Sequence, residues 1–437
     1  MNELEQKPLI GWAERDVTPS TKVSLWGQHF VRLTEQVHDP LTTTALALVS
    51  EDGREAAILV SLDACSASDY VTDACRRRLA AARPDVPPQA LLISGTHTHT
   101  GPDQVPEGAL RPELPDDVMT AKEYADLLVE RITEAAIEAW DNRAPGALGW
   151  GRGYAVVGFN RRAAYFDGSS QMYGRTDVPD FSHIEGHEDH AVELLFTYDP
   201  DHALTGMIVN VPCPAQCTEN AYFVSADYWH ETREELRRRH GRHLHVLAQC
   251  SAAGDISPRT LLNRNADVRM LRLKGYGDDY NTARRRDIAD KLAGVVDEVL
   301  PLASTDIRDR IDFRHRAVSL ELSCRRATRA DLEEAERQVA LETEKLAAIS
   351  DPDSTSRDAS RALVLRTFYE GVIDTYHEQQ EGRRLSMPVE LHVLRLGDVA
   401  MCFNRFEYYL DFGDRIKGRS RALQTFIVQL TGQGKYC

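Results

Sequence analysis

Two short runs of apolar residues constrain the fold of this 437-residue chain more than any other feature. Residues 58–62 (Ile-Leu-Val-Ser-Leu) and 91–93 (Leu-Leu-Ile) are almost continuously apolar, and turn-forming residues bound them. Such runs are typical of strands that are buried on both faces of a sheet. They therefore predict a sheet at the centre of the molecule, covered on each side.

Segments with helical periodicity alternate with the predicted strands. Residues 67–82 and 122–140 have the apolar spacing of amphipathic helices, and Asp227 is a candidate N-cap for a third helix. We therefore predict an α/β fold with a mixed β-sheet core flanked by helices. The predicted strands are residues 9–13, 43–49, 56–63, 90–94, 191–198, 206–211, 243–249, 389–396 and 399–403, and the remaining helices are residues 226–239, 287–300 and 408–417.

Residues 327–381 have a different character, because they are highly charged and helical throughout. The turn signal Ser-Asp-Pro-Asp-Ser at 350–354 divides them into two amphipathic helices. We expect a helical hairpin inserted in the sheet domain, as a lid or as an oligomer contact. The length allows two or three domains, but we expect one domain over residues 1–437 that carries this insert.

The charge balance limits the partners of the chain. It has 52 Lys and Arg against 68 Asp and Glu, a formal net charge of −16. This surplus disfavours general binding to nucleic acid or to anionic membranes. The first seven residues lack the apolar core of a signal peptide, and the eight cysteines form no CxxC pair. We expect a cytoplasmic protein with a small-molecule substrate, no nucleic acid and no stable membrane association; a homo-oligomer stays open.

The motif His97-Thr-His99 directly follows the predicted strand 90–94. In an extended chain, residues two positions apart project to the same side, so both imidazoles are expected to lie together. Catalytic zinc favours neutral imidazole ligands, with further ligands from elsewhere in the chain. The alternative is a polar turn with two hydrogen-bonded histidines.

Four further residues follow predicted strands, where an open α/β sheet builds its binding site. Arg161 can anchor a carboxylate or carbonyl oxygen, or form a solvated salt bridge. Cys213 is displayed between two prolines, or is a buried apolar thiol. Ser257 is expected in an exposed turn; the alternative is a tight strand-to-loop turn that Asp255 caps. Glu407 follows the predicted strand 399–403 and is a candidate site residue. The alternative is an ordinary surface glutamate.

Taken in order, short motifs along most of the chain resemble the catalytic domain of the neutral/alkaline non-lysosomal ceramidase family. The motifs THTHTGP and GDISP together are more specific for this family than either motif is alone. The matching segments are residues 16–19 (DVTP), 37–41 (VHDPL), 60–63 (VSLD), 96–102 (THTHTGP), 160–162 (NRR) and 254–258 (GDISP).

This resemblance implies a zinc-dependent amidase. It implies that His97 and Glu407 bind the metal and that His99, Arg161 and Ser257 line the substrate site. A secretion signal and an immunoglobulin-like domain of the family are expected to be absent here, so we transfer the chemistry to a small soluble substrate.

Two other positions depart from the family pattern. The family has His-Pro where this chain has Cys213-Pro214. Because thiolate is a good zinc ligand, Cys213 is the candidate replacement for that histidine. The family also has a tyrosine ligand after the glutamate, and Tyr436 is the candidate for it.

The sequence thus predicts a zinc-dependent hydrolase of an amide or related acyl bond that uses metal-activated water. His99 is expected to shuttle a proton or stabilise the oxyanion, while Arg161 holds a substrate oxygen. Ser257 either positions substrate or acts as nucleophile, and Asp63 and Asp255 are candidates to orient the imidazoles. The alternatives are a metal-dependent isomerase, lyase or lactonase acting on a sugar-like molecule, and a non-catalytic binding protein with a decayed metal site.

Overall fold

The computed structural model describes residues 5–106, 112–349 and 354–433, together with the backbone of residues 435 and 436. Its first part is a mixed sheet backed by two helices. In chain order the elements are β1 (Pro8–Asp16), β2 (Val23–Ser24), β3 (Leu33–Thr34), β4 (Thr42–Ser50), β5 (Ala56–Leu62), α1 (Asp69–Ala82), β6 (Leu91–Gly95), α2 (Ala121–Asp141) and β7 (Ala144–Pro145), with a 3₁₀ turn at Pro88–Ala90. The strand order is β6-β5-β4-β1-β7, and β5 and β6 are parallel.

The second part repeats this plan with a sheet of order β15-β14-β13-β8, in which β14 and β15 are parallel. A small three-stranded sheet and a short strand pair extend from it. The elements are β8 (Ala147–Tyr154), β9 (Phe159–Asn160), β10 (Arg162–Tyr165), β11 (Ser170–Met172), β12 (Phe181–Ile184), β13 (Ala191–Tyr198), β14 (Leu204–Val211), α3 (Tyr228–His240), β15 (His245–Cys250), β16 (Ile256–Ser257), α4 (Arg264–Leu273) and α5 (Tyr280–Ala303).

The third part is a sheet of order β17-β18-β19-β21, in which β19 and β21 are parallel. Two helices that pack against each other, α6 and α7, occupy the range of the expected insert and join two long antiparallel strands. No helix in the described ranges is long and apolar enough to cross a membrane. The elements are β17 (Phe313–Ser323), α6 (Arg329–Ala348), α7 (Arg357–Gln380), β18 (Ser386–Leu396), β19 (Val399–Phe403), β20 (Phe406–Glu407), α8 (Leu410–Arg419), β21 (Gln424–Val428) and β22 (Lys435–Tyr436).

The first two mixed sheets each bury both faces. In β4, Ala45 and Ala47 pack towards α1 and α2, while Leu46 and Leu48 pack into a central layer between the sheets. The outer face of the second sheet packs against α3 and α5. This arrangement explains the continuous apolar runs and confirms the predicted α/β fold with a mixed-sheet core flanked by helices.

A buried ion pair joins the first sheet to the second layer of helices. Asp63, directly after β5, accepts hydrogen bonds from Nη1 and Nη2 of Arg233 in α3, at 2.7 and 2.9 Å. Its side chain is fully buried, and it also accepts a bond from the hydroxyl of Thr96, one residue before His97. Asp63 therefore holds the start of the loop that carries the histidines, instead of orienting an imidazole as predicted.

We expect Arg233→Met to lower the free energy of unfolding by about 3–5 kcal/mol, because it leaves the Asp63 carboxylate buried without its cation. The control is Lys122→Met, which removes the exposed Lys122–Asp126 pair on α2 and is expected to leave the free energy of unfolding almost unchanged. Denaturant unfolding of both variants measures the difference. Equal losses would contradict the role assigned to the buried pair.

Candidate functional site

The candidate functional residues gather where three pairs of parallel strands end, one pair in each of the three main sheets. The segments after β5 and β6, after β14 and β15, and after β19 all lead to one cavity of about 740 Å³. Parallel strands end at the same edge of a sheet, so this edge collects loops from distant parts of the chain. The polar lining residues are Ser24, Gln28, His29, Cys65, His97, His99, Arg161, Tyr173, Gln216, Glu219, Asn220, Arg259 and Glu407.

His97 is held in an unusual backbone conformation directly after β6. Its φ is +67°, which L-residues rarely adopt, and strain of this kind concentrates at functional sites. Its Nδ1 lies 2.7 Å from the carbonyl oxygen of Cys65, and its Nε2 lies 3.4 Å from Oε2 of Glu407. Burial opposes the charging of this ring, but Cys65 and Glu407 outweigh it and hold the pKa of His97 well above its usual value.

Cys65, His97 and His99 form a group of metal-type ligands. Their ligand atoms all lie within 4.8 Å of one another, and the Cys65 sulfur lies 3.7 Å from Nδ1 of His97. Glu407 adds a carboxylate on the Nε2 side of His97. Thiolate, imidazole and carboxylate are the donors that zinc takes in proteins, so these residues fit a zinc ion.

His99 is neutral in this environment. Burial, followed by the charges of His97, Arg32, Arg161 and Arg259, holds its pKa well below the usual value. Its Nε2 lies 2.8 Å from the side-chain amide of Gln216. Its Nδ1 is buried without a hydrogen-bond partner among the described residues and lies 3.7 Å from Glu219. Because the Gln216 amide donates to Nε2, the proton of the neutral ring lies on Nδ1, on the side of Glu219.

A buried guanidinium supports the loop that carries His99. Arg32 is fully buried and donates hydrogen bonds to the carbonyl oxygens of Trp26, His99, Glu219 and Ala221. Burial lowers the pKa of Arg32 to about 10. Three lining loops are tied to one side chain in this way.

The lining of the cavity also requires a glycine beside His99. Gly27 has a φ of +100°, and a Cβ placed there would lie 2.3 Å from Cγ of the His99 ring. A larger residue would therefore push against the imidazole.

Arg161 lies in the cavity wall, where the sequence predicted a substrate residue. Its Nη1 donates to the hydroxyl of Tyr173 at 3.0 Å, and its Nη2 donates to the carbonyl oxygen of Gly254 at 2.8 Å. Burial would raise the pKa of the Tyr173 phenol, but Arg161 and Arg259 hold it below the usual range. Tyr173 itself has a φ of +55°, a second strained residue at this site.

Ser257 lies behind this wall. The exposed turn expected for Ser257 is wrong, because the residue is fully buried in β16, which pairs with β9. Its hydroxyl accepts a bond from the backbone N–H of Arg259 and contacts the Tyr173 hydroxyl. The carboxylate of Asp255 accepts hydrogen bonds from the side-chain amide of Asn160 and from the backbone N–H of Leu410. These bonds hold loops together instead of orienting an imidazole as predicted.

Cys213 lies at the end of β14, apart from the Cys65–His97–His99 group. Its thiol is fully buried and faces the carbonyl oxygens of Val157 and Pro214, at 3.5 and 3.7 Å. Burial raises the pKa of this thiol, which disfavours the thiolate that a metal needs.

The helical insert contributes to the cavity through α7. Val364 lines it, and the hydroxyl of Ser360 accepts a hydrogen bond from the backbone N–H of Val31 at 3.0 Å. The guanidinium of Arg357 lies over the ring of Phe30, 4.4 Å from its centroid. These contacts favour a lid among the two expected roles. The expected turn at 350–353 lies outside the described residues.

Sequence reasoning missed Cys65, Tyr173, Gln216 and Arg259. Cys65 lies two residues after the matched segment VSLD and shortly after the end of β5, which is parallel to β6, so strand order would have indicated it. Arg259 directly follows GDISP. Tyr173 and Gln216 lie in irregular segments without a recognisable pattern.

Comparison with known proteins supports the motif assignment. No protein-family model matches the chain. Over 168 residues it is 27% identical to a neutral ceramidase of Oryza sativa subsp. japonica and 30% identical to neutral ceramidase 1 of Arabidopsis thaliana. Each match covers 37% of this chain and 21% of the relative, so the matched segment spans about a fifth of the length of these curated proteins.

Solved structures share the fold over nearly the whole chain. The neutral ceramidase of Pseudomonas aeruginosa has a TM-score of 0.69 at 15% identity, covering 99% of this chain and 69% of that one. A ceramidase described as complexed with C2 has a TM-score of 0.65 at 14% identity, covering 97% and 68%. As the motifs predicted, the chain resembles the neutral ceramidase catalytic domain in sequence and has the fold of the solved ceramidases.

Proposed function

We propose that this chain is a zinc-dependent hydrolase that cleaves an amide bond in a small molecule. The observation that carries the proposal is the group Cys65, His97 and His99, beside Glu407, in a cavity large enough for a small substrate. The similarity to neutral ceramidases supports amide cleavage as the reaction.

The ligands we propose are His97, Glu407 and Cys65. Two ligand atoms at about 2.0–2.1 Å from a tetrahedral zinc lie about 3.4 Å apart, which is the distance between Nε2 of His97 and Oε2 of Glu407. The contact of Nδ1 with the Cys65 carbonyl oxygen fixes the ring so that Nε2 is directed to the metal. Zinc is favoured over magnesium or calcium because those ions take oxygen ligands.

Cys65 replaces Cys213 in this proposal. Its sulfur lies within 4.8 Å of a ligand atom of both His97 and His99, whereas the Cys213 thiol is directed to backbone carbonyl groups. Tyr436 stays a candidate ligand, because its backbone pairs with Glu407 in the short strand pair β20–β22. Its side chain lies outside the described residues.

The remaining residues act on the substrate. Zinc, when bound, would polarise the amide carbonyl and lower the pKa of water. His99 accepts a hydrogen bond from the Gln216 amide at Nε2, so it would give the proton on Nδ1 to the departing nitrogen and recover one from water. Tyr173, whose hydroxyl is held by Arg161, would bind a substrate oxygen. Ser257 would orient Tyr173, since its own hydroxyl is buried behind that wall.

The metal assignment predicts different effects for two cysteines. Wild-type protein and Cys213→Ser are expected to bind about one zinc per chain, whereas Cys65→Ser and His97→Ala are expected to lose it. Elemental analysis after dialysis measures this, and circular dichroism checks that each variant folds. Loss of zinc in Cys213→Ser with retention in Cys65→Ser would contradict the assignment.

The role of His99 predicts an effect on rate alone. His99→Ala is expected to keep its zinc and to lower kcat for amide hydrolysis by about 10²–10⁴-fold, the usual contribution of a general acid–base. The control is His187→Ala, which changes an exposed histidine paired with Asp414. If His99→Ala loses the metal, His99 is a ligand and the proton-transfer role is wrong. If wild-type protein with bound zinc hydrolyses no amide, the proposed reaction is wrong.

A further inference from the structure

In one wall of the cavity, two guanidinium groups lie beside a phenol ring. The Cζ atoms of Arg161 and Arg259 lie 5.2 and 5.5 Å from the centroid of the Tyr173 ring. The two arginines are largely buried, while Tyr173 is 39% exposed as a residue. All three side chains line the cavity, and Tyr173 is the most open of them to a ligand.

The hydroxyl of Tyr173 is oriented by its neighbours. Its oxygen accepts a hydrogen bond from Nη1 of Arg161 and contacts the hydroxyl of Ser257. The backbone N–H of Tyr173 also donates to the carbonyl oxygen of Arg161, at 2.7 Å. With Arg161 donating to the oxygen, the phenolic O–H can itself donate to an anion in the cavity.

Arg259 provides the charge. It forms an ion pair with Glu219, yet its Nε is buried without a hydrogen-bond partner in the part of the chain that is described. Arg32 adds a third cation behind His99, and its hydrogen bonds go to carbonyl oxygens. In a chain with a net charge of −16, positive charge is therefore concentrated on this side of the cavity.

Another part of the cavity lining is apolar. Trp26, Phe30, Val31, Met172 and Val364 line it, so one portion of a ligand would be hydrocarbon. A planar carboxylate suits an arginine and a phenol donor, and burying it beside cations offsets the cost of leaving water.

We propose that Tyr173 and Arg259 bind a substrate carboxylate, with Arg161 as the positioning residue for Tyr173, so that the substrates are N-acyl amino acids. This inference rests on the proposed amide hydrolase. In the reaction the C–N bond breaks, the oxygen of water joins the acyl carbon, and the nitrogen takes up a proton. The products are a fatty acid and a free amino acid.

The test compares two amides that differ only in charge, N-hexanoylglycine and N-hexanoylglycinamide. Wild-type protein is expected to have a kcat/KM for N-hexanoylglycine about tenfold or more above that for N-hexanoylglycinamide. This is the factor that one hydrogen bond to a charged group contributes. Arg259→Gln is expected to bring the ratio close to one, mainly by raising KM for N-hexanoylglycine, and Tyr173→Phe to lower it part of the way. The control Arg175→Gln removes an exposed arginine paired with Asp177 and should keep the wild-type ratio.

Calorimetric binding of the same two compounds to metal-free protein separates this inference from the proposed function. Selective binding of N-hexanoylglycine that is lost in Arg259→Gln supports the carboxylate site, even if no amide is hydrolysed and the hydrolase proposal fails. Equal binding and equal turnover of both compounds, or an unchanged ratio in Arg259→Gln, would overturn the carboxylate site and leave the hydrolase proposal intact.

Discussion

Burial of both faces of the first two mixed sheets is the constraint on which the rest of this structure depends. Apolar side chains of β4, β5 and β6 fill the outer layers and the central layer at once, so these strands have no room for polar groups. Polar chemistry is therefore confined to the strand ends. Three parallel pairs end at one edge, and this brings Cys65, His97 and Glu407 together from distant parts of the chain.

The loops at this edge are held by buried charges. Arg32 ties together three loops through their carbonyl oxygens, and Asp63 joins the β5 end to α3 through Arg233. The strained backbone of His97 and Tyr173 persists because such contacts surround it. The site is thereby pre-organised, which limits the reorganisation required when a ligand binds.

Most of the fold could be predicted from local pattern. The strands 191–198 and 399–403 have the predicted bounds, and Asp227 caps α3 by accepting the backbone N–H of Tyr228. The strands β8 and β17 were missed. β8 is rich in glycine because α5 packs closely on it, and much of β17 is exposed and polar, so neither has the apolar run of a central strand.

The site was predictable only where a motif marks it. His97, His99 and Arg161 lie in recognisable motifs and line the cavity. Cys65 lies in the cavity because β5 is parallel to β6, and Tyr173 lies there because it directly follows β11 in an irregular hairpin. Both positions depend on the whole fold and not on a local motif. Cys213 was chosen by its position in a motif, but the direction of its side chain depends on the packing of the β14 end against Val157.

The central claim is that zinc binds at the edge where β5 and β6 end, with the Cys65 sulfur as a ligand. X-ray absorption at the zinc edge of Cys213→Ser protein tests it most directly, because that variant removes the competing thiol. The account predicts one sulfur neighbour at about 2.3 Å together with nitrogen or oxygen neighbours at about 2.0–2.1 Å. A zinc shell of nitrogen and oxygen alone would contradict it.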